Sequence, residues 1–331
     1  MIYSADEESI QLAVEQLKLG HCIGFPTETV YGLAGDGLNE AAIAQVFDIK
    51  QRPSFDPLIF HISEQQDLYV LASEVPDDAR KLIDAFWPGP MTLILPKQPD
   101  IPDLATSGLP TVAIRCPEHE VAQKVLTLFG GPIVAPSANR FGRISPTTAH
   151  AVREELGERL EFILDGGPCG RGIESTIIDC SSDSPKIARL GSLAKEDVEK
   201  IVGPVEIVSS NGPPSAPGML KSHYAPKTTM YLAKDPFQSQ MLATSNHVYI
   251  VLKNTGIPHQ NVLELSGGED LMEAARRLFA LMREADVRKC QSIIAFPVPE
   301  DGLGRAINDR LVKAASGSVQ WRNASWVLSR S

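Results

Sequence analysis

The sequence predicts an α/β protein with a mixed sheet in its larger N-terminal part and a smaller α/β domain after a flexible connection. Short apolar runs bounded by turn residues alternate with stretches of helical periodicity. Several strands follow one another with no helix between them, so a regular doubly wound sheet is not demanded. From Ser209 to Gly218, eight of ten residues are Gly, Pro or Ser, which prevents helix, disfavours strand and marks a linker.

The elements follow in order. Ser4 with Glu7 fits a capping box, Ile10, Ala13, Val14 and Leu17 recur at helical spacing, and Gly20 stops the helix. Cys22 to Phe25 reads as a buried strand. A second helix runs from Asn39 to about Lys50, ended by Arg52-Pro53, and Leu58 to Ile62 is a strand. Further strands are expected at 91–95, 111–115, 133–135, 162–165, 175–179 and 187–189, and helices near 77–86, 119–129 and 146–156. After the linker, 247–252, 262–265 and 292–296 read as strands. Ser266 and Glu269 would cap a helix with the stripe Leu271, Ala274, Leu278, Met282 and Ala285, and 305–315 reads as a helix.

The chain has 331 residues, 43% hydrophobic and 22% charged, which excludes a mostly disordered chain and a disulfide-stapled miniprotein. A net charge of −10 argues against coating nucleic acid through bulk charge. Five scattered cysteines without Cys-x-x-Cys spacing suggest reduced, structural thiols. The acidic start lacks the pattern of a signal peptide, and no apolar stretch is long enough for a membrane span, so a cytoplasmic protein is expected. The phosphate-loop, dinucleotide, zincin and nucleophile-elbow motifs are all missing.

What remains is a set of polar residues at strand ends, each with a plain structural alternative. Pro26-Thr27-Glu28-Thr29 presents hydroxyls and a carboxylate, or is a turn. Lys50 and Arg52 close a helix, where they either clamp phosphate or match the helix dipole. His61 on an apolar strand is a ligand or a satisfied core histidine. Arg115 closes a buried strand and needs an anion, from a substrate carboxylate or a structural Asp. Ser137, Asn139 and Ser145 follow a strand and suit phosphate, although Ser145-Pro146 is also an ordinary helix start. The glycine cluster from Asp165 to Gly172 permits close approach to a ligand, or forms a flexible hairpin.

Together, these motifs resemble the YrdC/Sua5 family of L-threonylcarbamoyladenylate synthases. The resemblance rests on Pro26-Thr27-Glu28-Thr29-Val30-Tyr31-Gly32-Leu33, Lys50-x-Arg52-Pro53 with His61, and Trp87-Pro88-Gly89-Pro90-Met91-Thr92. It continues through Ala135-Pro136-Ser137-Ala138-Asn139, Asp165-Gly166-Gly167, Glu174-Ser175-Thr176-Ile177, and Ala216-Pro217-Gly218-Met219 with His223-Tyr224-Ala225-Pro226. The last stretch is similar to the long, two-domain form. The resemblance implies a YrdC-like twisted mixed sheet with flanking helices over 1–205, a linker over 206–229 and a Rossmann-like domain over 230–331.

It also implies a nucleotidyltransferase. ATP, L-threonine and bicarbonate or CO2 would give threonylcarbamoyl-AMP and pyrophosphate, with Mg²⁺ accompanying ATP and no protein-held metal. The product would pass to the tRNA threonylcarbamoyl transferase machinery, which modifies adenosine in tRNAs reading codons that begin with A. By resemblance Lys50 and Arg52 are catalytic. Those two with Thr111, Ser137, Asn139, Ser145, Arg189 and Tyr224 hold ATP, and Thr27, His61, Arg115 and Thr176 hold threonine. Tyr224 is expected to reach back over the nucleotide as part of a lid. Two positions depart from the family pattern: Asp56 stands where Asn is frequent, and Leu190 where Pro is. An anion at Asp56 is awkward beside ATP unless Arg52 or Mg²⁺ pairs with it.

A binder of tRNA or double-stranded RNA is the alternative. The acidic charge and the confinement of Lys50, Arg52, Arg115 and Arg189 to element ends favour a small pocket, with at most weak RNA contact. Hydrogenase-maturation carbamoyltransferases carry zinc-finger cysteines and an acylphosphatase domain that this chain lacks.

Overall fold

The computed structural model describes residues 1–63, 67–208, 223–238, 241, 246–253, 260–288, 290–322 and 325–328. They form two compact units, Met1–Phe141 with Ser145–Leu220, and Gly142–Ile144 with Lys221–Ser331. The expected linker Ser209–Gly218 lies outside the described residues.

In the first unit, strands run in chain order as β1 (Ile2–Ser4), β2 (Ile23–Phe25), β3 (Gly32–Asp36), β4 (Ile59–His61), β5 (Met91–Pro96) and β6 (Thr111–Arg115). They continue as β7 (Ile133–Val134), β8 (Phe162–Asp165), β9 (Thr176–Asp179), β10 (Lys186–Arg189) and β11 (Glu206–Ile207). The helices are α1 (Glu7–Lys18), α2 (Glu40–Lys50), α3 (Leu68–Leu71), α4 (Asp77–Phe86), α5 (Asp103–Thr106), α6 (Glu120–Phe129), α7 (Ala149–Leu156) and α8 (Lys195–Val202).

Local chemistry sets the helix starts. Asp6, not Ser4, caps α1: its carboxylate accepts from the Ser9 amide at 2.9 Å, and Glu7 and Glu8 complement the dipole. Ser4 is instead in register with Asp165, the last pair between β1 and β8, so the helix begins later than expected. Ile10, Ala13, Val14 and Leu17 form its buried stripe, as their spacing predicts. Asn39 caps α2 through bonds from the Ala41 and Ala42 amides. Thr148 caps α7, so Ser145-Pro146 does not start that helix and Ser145 is available for other duty.

The sheet order is β1-β8-β2-β3-β7-β4-β6-β5-β9-β10-β11. It is mixed, as expected: β4 and β6 are parallel, as are β5 and β9, while β5 and β6 are antiparallel. Register decides which side chains share a face, because successive residues alternate. His61 lies level with Arg115, and Arg115 with Thr92. Two residues back along the strands, Ile59 is level with Ala113 and Ala113 with Ile94. Ile59, Ile94, Ala113, Ile177 and Ala188 form one buried cluster made of strand residues alone. On the same face His61 is level with Ile133, and there the sheet is covered by α1 and α6 through Val14, Leu17, Ala122 and Val125. The opposite face packs Leu93, Ile114, Ile178 and Ile187 in the larger core with α2 and α4. Helices thus occupy part of the first face, and β4, β6, β5, β9 and β10 present the remainder as a platform.

The second unit has β12 (Met230–Ala233), β13 (His247–Val251), β14 (Val262–Glu264), β15 (Ser292–Ala295), β16 (Ser318–Arg322) and β17 (Ser325–Leu328), with α9 (Leu271–Val287) and α10 (Gly304–Ala314). Its order is β14-β13-β15-β12-β16-β17, and every pairing is parallel except β16 with β17. Asp270 caps α9 by accepting from the Met272 amide. Ser266, expected as the cap, accepts from the Asp270 amide and donates to Glu273, so it braces the turn ahead of the helix. At the start of α10 a glycine is required by packing: a Cβ on Gly304 would lie 1.8 Å from the Pro299 carbonyl oxygen.

Candidate active site

The platform carries two groups of polar side chains. At one end is Arg115, 4% exposed. It donates to Thr29 Oγ1 at 2.7 Å and to the Gly89 carbonyl at 3.2 Å, and it pairs with Glu28. The buried charge therefore has its structural acid within the Thr27–Thr29 turn. Glu28 Oε2, also buried, accepts no hydrogen bond among the described residues. Thr27 shapes the turn: its hydroxyl donates to the Val30 carbonyl at 2.6 Å and accepts from the Thr29 amide.

His61, level with Arg115, bonds through Nδ1 to the Ile59 carbonyl at 3.2 Å and meets Phe25 edge-on. Burial, reinforced by the Arg115 charge, pulls its pKa from 6.5 down to about 3. The ring is neutral, and with Nδ1 donating to the carbonyl, Nε2 is left as an acceptor.

Thr92 shares this face, and its hydroxyl meets Ser175 Oγ at 2.7 Å. Thr176 does not share it. Thr176 is the neighbour of Ile177, which is level with Thr92, so its side chain leaves the opposite side of the sheet. There its hydroxyl donates to the Leu193 carbonyl at 2.7 Å and accepts from the Leu193 amide at 3.0 Å. Ser175, rather than Thr176, stands with Arg115; the sequence contains both hydroxyls but not the register that separates them.

Ser175 also begins the second group. Arg189 donates to its carbonyl at 2.9 Å and to its hydroxyl at 3.1 Å. Gly191 lets this corner close, since a Cβ there would lie 2.4 Å from the Ser175 carbonyl carbon and the Thr176 nitrogen. Ser145 donates to Glu174 at 2.6 Å, one residue away along the chain. Arg189, Arg52 and Lys50 all act on the buried carboxylate of Asp56. Arg52 is held by the Asp56 and Pro57 carbonyls and pairs with the Asp56 carboxylate at 2.9 Å. Lys50 donates to the Ser137 and Asn139 carbonyls, the latter at 2.7 Å, which ties the end of α2 to the Ser137–Asn139 segment. Burial, with the Arg52 charge next to it, holds Lys50 well below the ordinary lysine range.

Thr111 lies on the face of Ala113 and Arg115 but at the opposite end of β6, about 13 Å along the strand from Arg115. Counting the β4–β6 register back from Ile59 and Ala113 sets Thr111 level with Pro57, the residue that holds Arg52. Thr92, Glu174 and Ser175 stand in the motifs without an assigned role, and Glu28 reads there only as a carboxylate in a turn. Their signal was a polar residue beside an apolar strand, visible only once register is known.

Tyr224 is 1% exposed in the second unit. Its ring stacks on Phe279 with centroids 5.4 Å apart, and the Arg310 guanidinium lies 5.4 Å from its centroid. No helix among the described residues is long and apolar enough to cross a membrane.

A family model described as telomere recombination, covering Sua5, YciO and YrdC, matches residues 15–191. A second, described as the threonylcarbamoyl-AMP synthase C-terminal domain, matches residues 193–316. The threonylcarbamoyl-AMP synthase of Pyrococcus abyssi is 39% identical over 94% of this chain and 95% of that protein. That of Bacillus subtilis is 37% identical over 96% and 95%. The crystal structure of P. abyssi Sua5 complexed with L-threonine superposes with a TM-score of 0.88 at 37% identity, covering 95% of this chain and 97% of that one. Escherichia coli YciO, 23% identical with a TM-score of 0.52, shares the fold over 58% of this chain. The chain belongs to the Sua5/YrdC family, in the long form that carries the Sua5 C-terminal domain.

Proposed function

We propose that this chain is a threonylcarbamoyl-AMP synthase and a nucleotidyltransferase, joining L-threonine, bicarbonate or CO2, and MgATP into threonylcarbamoyl-AMP and pyrophosphate. The observation that carries the reading is the division of one sheet face. One end pairs Arg115 with Glu28, and the other brings Lys50, Arg52 and Arg189 within electrostatic reach of the buried Asp56. A zwitterionic amino acid suits the first, and a triphosphate suits the second. The relatives bear the same activity in their names, and the P. abyssi structure is described as a complex with L-threonine.

Threonine loses an ammonium proton, and its neutral amine adds to the one-carbon unit. With bicarbonate, water leaves; with CO2, a proton does. The carbamate oxygen then attacks the α-phosphorus, and the bond to the bridging oxygen of pyrophosphate breaks. Arg115 orients the amino-acid carboxylate through its planar fork, and Glu28 beside it answers the ammonium. His61, neutral, offers Nε2 to the threonine hydroxyl. Arg52 and Arg189 stabilise charge growing on the phosphates, while Lys50 holds the Ser137–Asn139 segment against them. Magnesium enters as part of the nucleotide and neutralises phosphate charge. Thr111 and Ser145 belong to the nucleotide end. The product, a mixed anhydride, goes to a tRNA threonylcarbamoyl transferase, with any RNA contact of this chain weak.

The test is pyrophosphate release by the purified protein with ATP, bicarbonate and threonine, each omitted in turn. Release that depends on threonine is expected; release independent of threonine, or none, overturns the reading.

A further inference from the structure

Asp56 sits in the loop between α2 and β4 and is 0% exposed. It pairs with Arg52 at 2.9 Å, yet neither carboxylate oxygen accepts a well-directed hydrogen bond among the described residues. The charges that face it are Arg52 from its own loop, Lys50 from the end of α2 and Arg189 from β10, while Glu155 of α7 acts on Lys50. A buried carboxylate normally accepts several hydrogen bonds, so this one is expensive to keep. Nor is its carboxylate the sole anchor of Arg52. The Asp56 and Pro57 carbonyls already fix that guanidinium at 3.0 and 2.7 Å. What the side chain contributes is a buried negative charge that pairs with Arg52 and acts on Lys50 and Arg189 as well.

We infer that Asp56 is a resident counter-anion of the cation cluster, standing in for phosphate and yielding Arg52 when a polyanion binds. The inference rests on reading this cluster as the phosphate end of the site. It gives the residue a function in the reaction: the empty site is kept electrostatically satisfied, and pyrophosphate is held less tightly than three unopposed cations would hold it, which eases product release. It also couples affinity to pH. Burial raises the Asp56 carboxyl against the opposing pull of Arg52, Lys50 and Arg189. Protonation removes the competing charge, so the native protein gains affinity for polyanions on acidification.

The experiment titrates the full chain with inorganic pyrophosphate and, separately, with ATP by isothermal calorimetry at pH 8 and pH 6. It compares the native protein with Asp56→Asn and Asp56→Ser, and cooperative thermal unfolding checks that each is folded. Both neutral variants should bind pyrophosphate about tenfold tighter at pH 8, and any narrowing of the gap on acidification should follow protonation of Asp56. Equal or weaker binding by the folded variants overturns the inference while leaving the proposed function standing. Failure of both variants to fold makes the carboxylate a structural element and overturns it as well. Absence of any pyrophosphate or ATP binding, native protein included, overturns the reading of the whole cluster.

Discussion

The two ends of the platform treat charge differently. Arg115 meets Glu28 one to one, and the nearest titratable ring, His61, is held neutral by burial. At the other end Lys50, Arg52 and Arg189 all act on Asp56, with Glu155 acting on Lys50 and Glu174 held by Ser145. Both ends are buried, so exposure to solvent does not explain the difference. What differs is the arrangement of charge. A closed pair leaves room for a ligand whose own charges cancel, whereas a cluster of three cations can take an anion. Ser175 links the ends, with Thr92 on one side and Arg189 on the other.

The strongest way to break this comparison is to remove one cation at each end. Arg52→Ala should lower kcat/KM for ATP by about two to three orders of magnitude, the scale for losing a preorganised donor to transition-state charge, with the KM for threonine little changed. Arg115→Lys keeps a charge opposite Glu28 but loses the fork, and should raise the KM for threonine by about tenfold or more while the KM for ATP holds. Steady-state pyrophosphate release with each substrate varied separately checks both. If each variant disturbs both substrates equally, the ends do not act separately.

Much of this division was legible before the fold was known. Arg115 closes a buried strand, and a buried cation must find an acid; Glu28 in a nearby turn is that acid. Lys50 and Arg52 at a helix end were equally legible as cations with somewhere to point. The dipole explanation for them falls short, because both are buried and hold specific carbonyls, whereas a cation serving the dipole alone remains in water. The face of Thr176 was not legible. It depends on the pairing of β9 with β5, a contact between residues more than eighty positions apart. The helix caps failed for a related reason: Ser4 has the right chemistry, but pairing of β1 with β8 consumes it and passes the cap to Asp6. The short strands β3, β11 and β12 escaped because a run of two to five residues carries too little periodicity.

Proton linkage sharpens the comparison at the neutral end. The pKa of His61 falls from 6.5 in the unfolded reference to about 3 in the fold. Between those values the unfolded chain binds more protons, so the contribution of His61 is fully present above pH 6.5 and is lost as pH falls through the window. From pH 6.5 to 5 the native protein should lose about 2 kcal/mol on this account. His61→Gln, which cannot titrate, should lose that much less over the same interval. Urea unfolding of both proteins at several pH values checks it, and parallel pH dependences would show that His61 is not buried neutral.

The finest test separates two adjacent hydroxyls. Ser175 and Thr176 differ by one position, but the sheet directs them to opposite faces, one toward Thr92 and Arg189 and the other toward the main chain of Leu193. Ser175→Ala removes the link between the two ends of the platform and should raise the KM for threonine severalfold, at a cost of about 1 kcal/mol or more because Thr92 and Arg189 lose a buried partner. Thr176→Val keeps shape but deletes both bonds to Leu193. It should cost about 1 kcal/mol or somewhat more in unfolding free energy while the KM for threonine remains within about twofold. Thermal unfolding and threonine-dependent pyrophosphate release, measured on both variants, should therefore show a loss of stability in each and a change in the KM for threonine only in Ser175→Ala. The reverse pattern would mean that the β5–β9 register has been misassigned by one residue, since a shift of one exchanges the faces of every side chain on the strand. Ile177 would then leave the face of Thr92 too, so the same two substitutions also test the placement of the apolar floor between the ends.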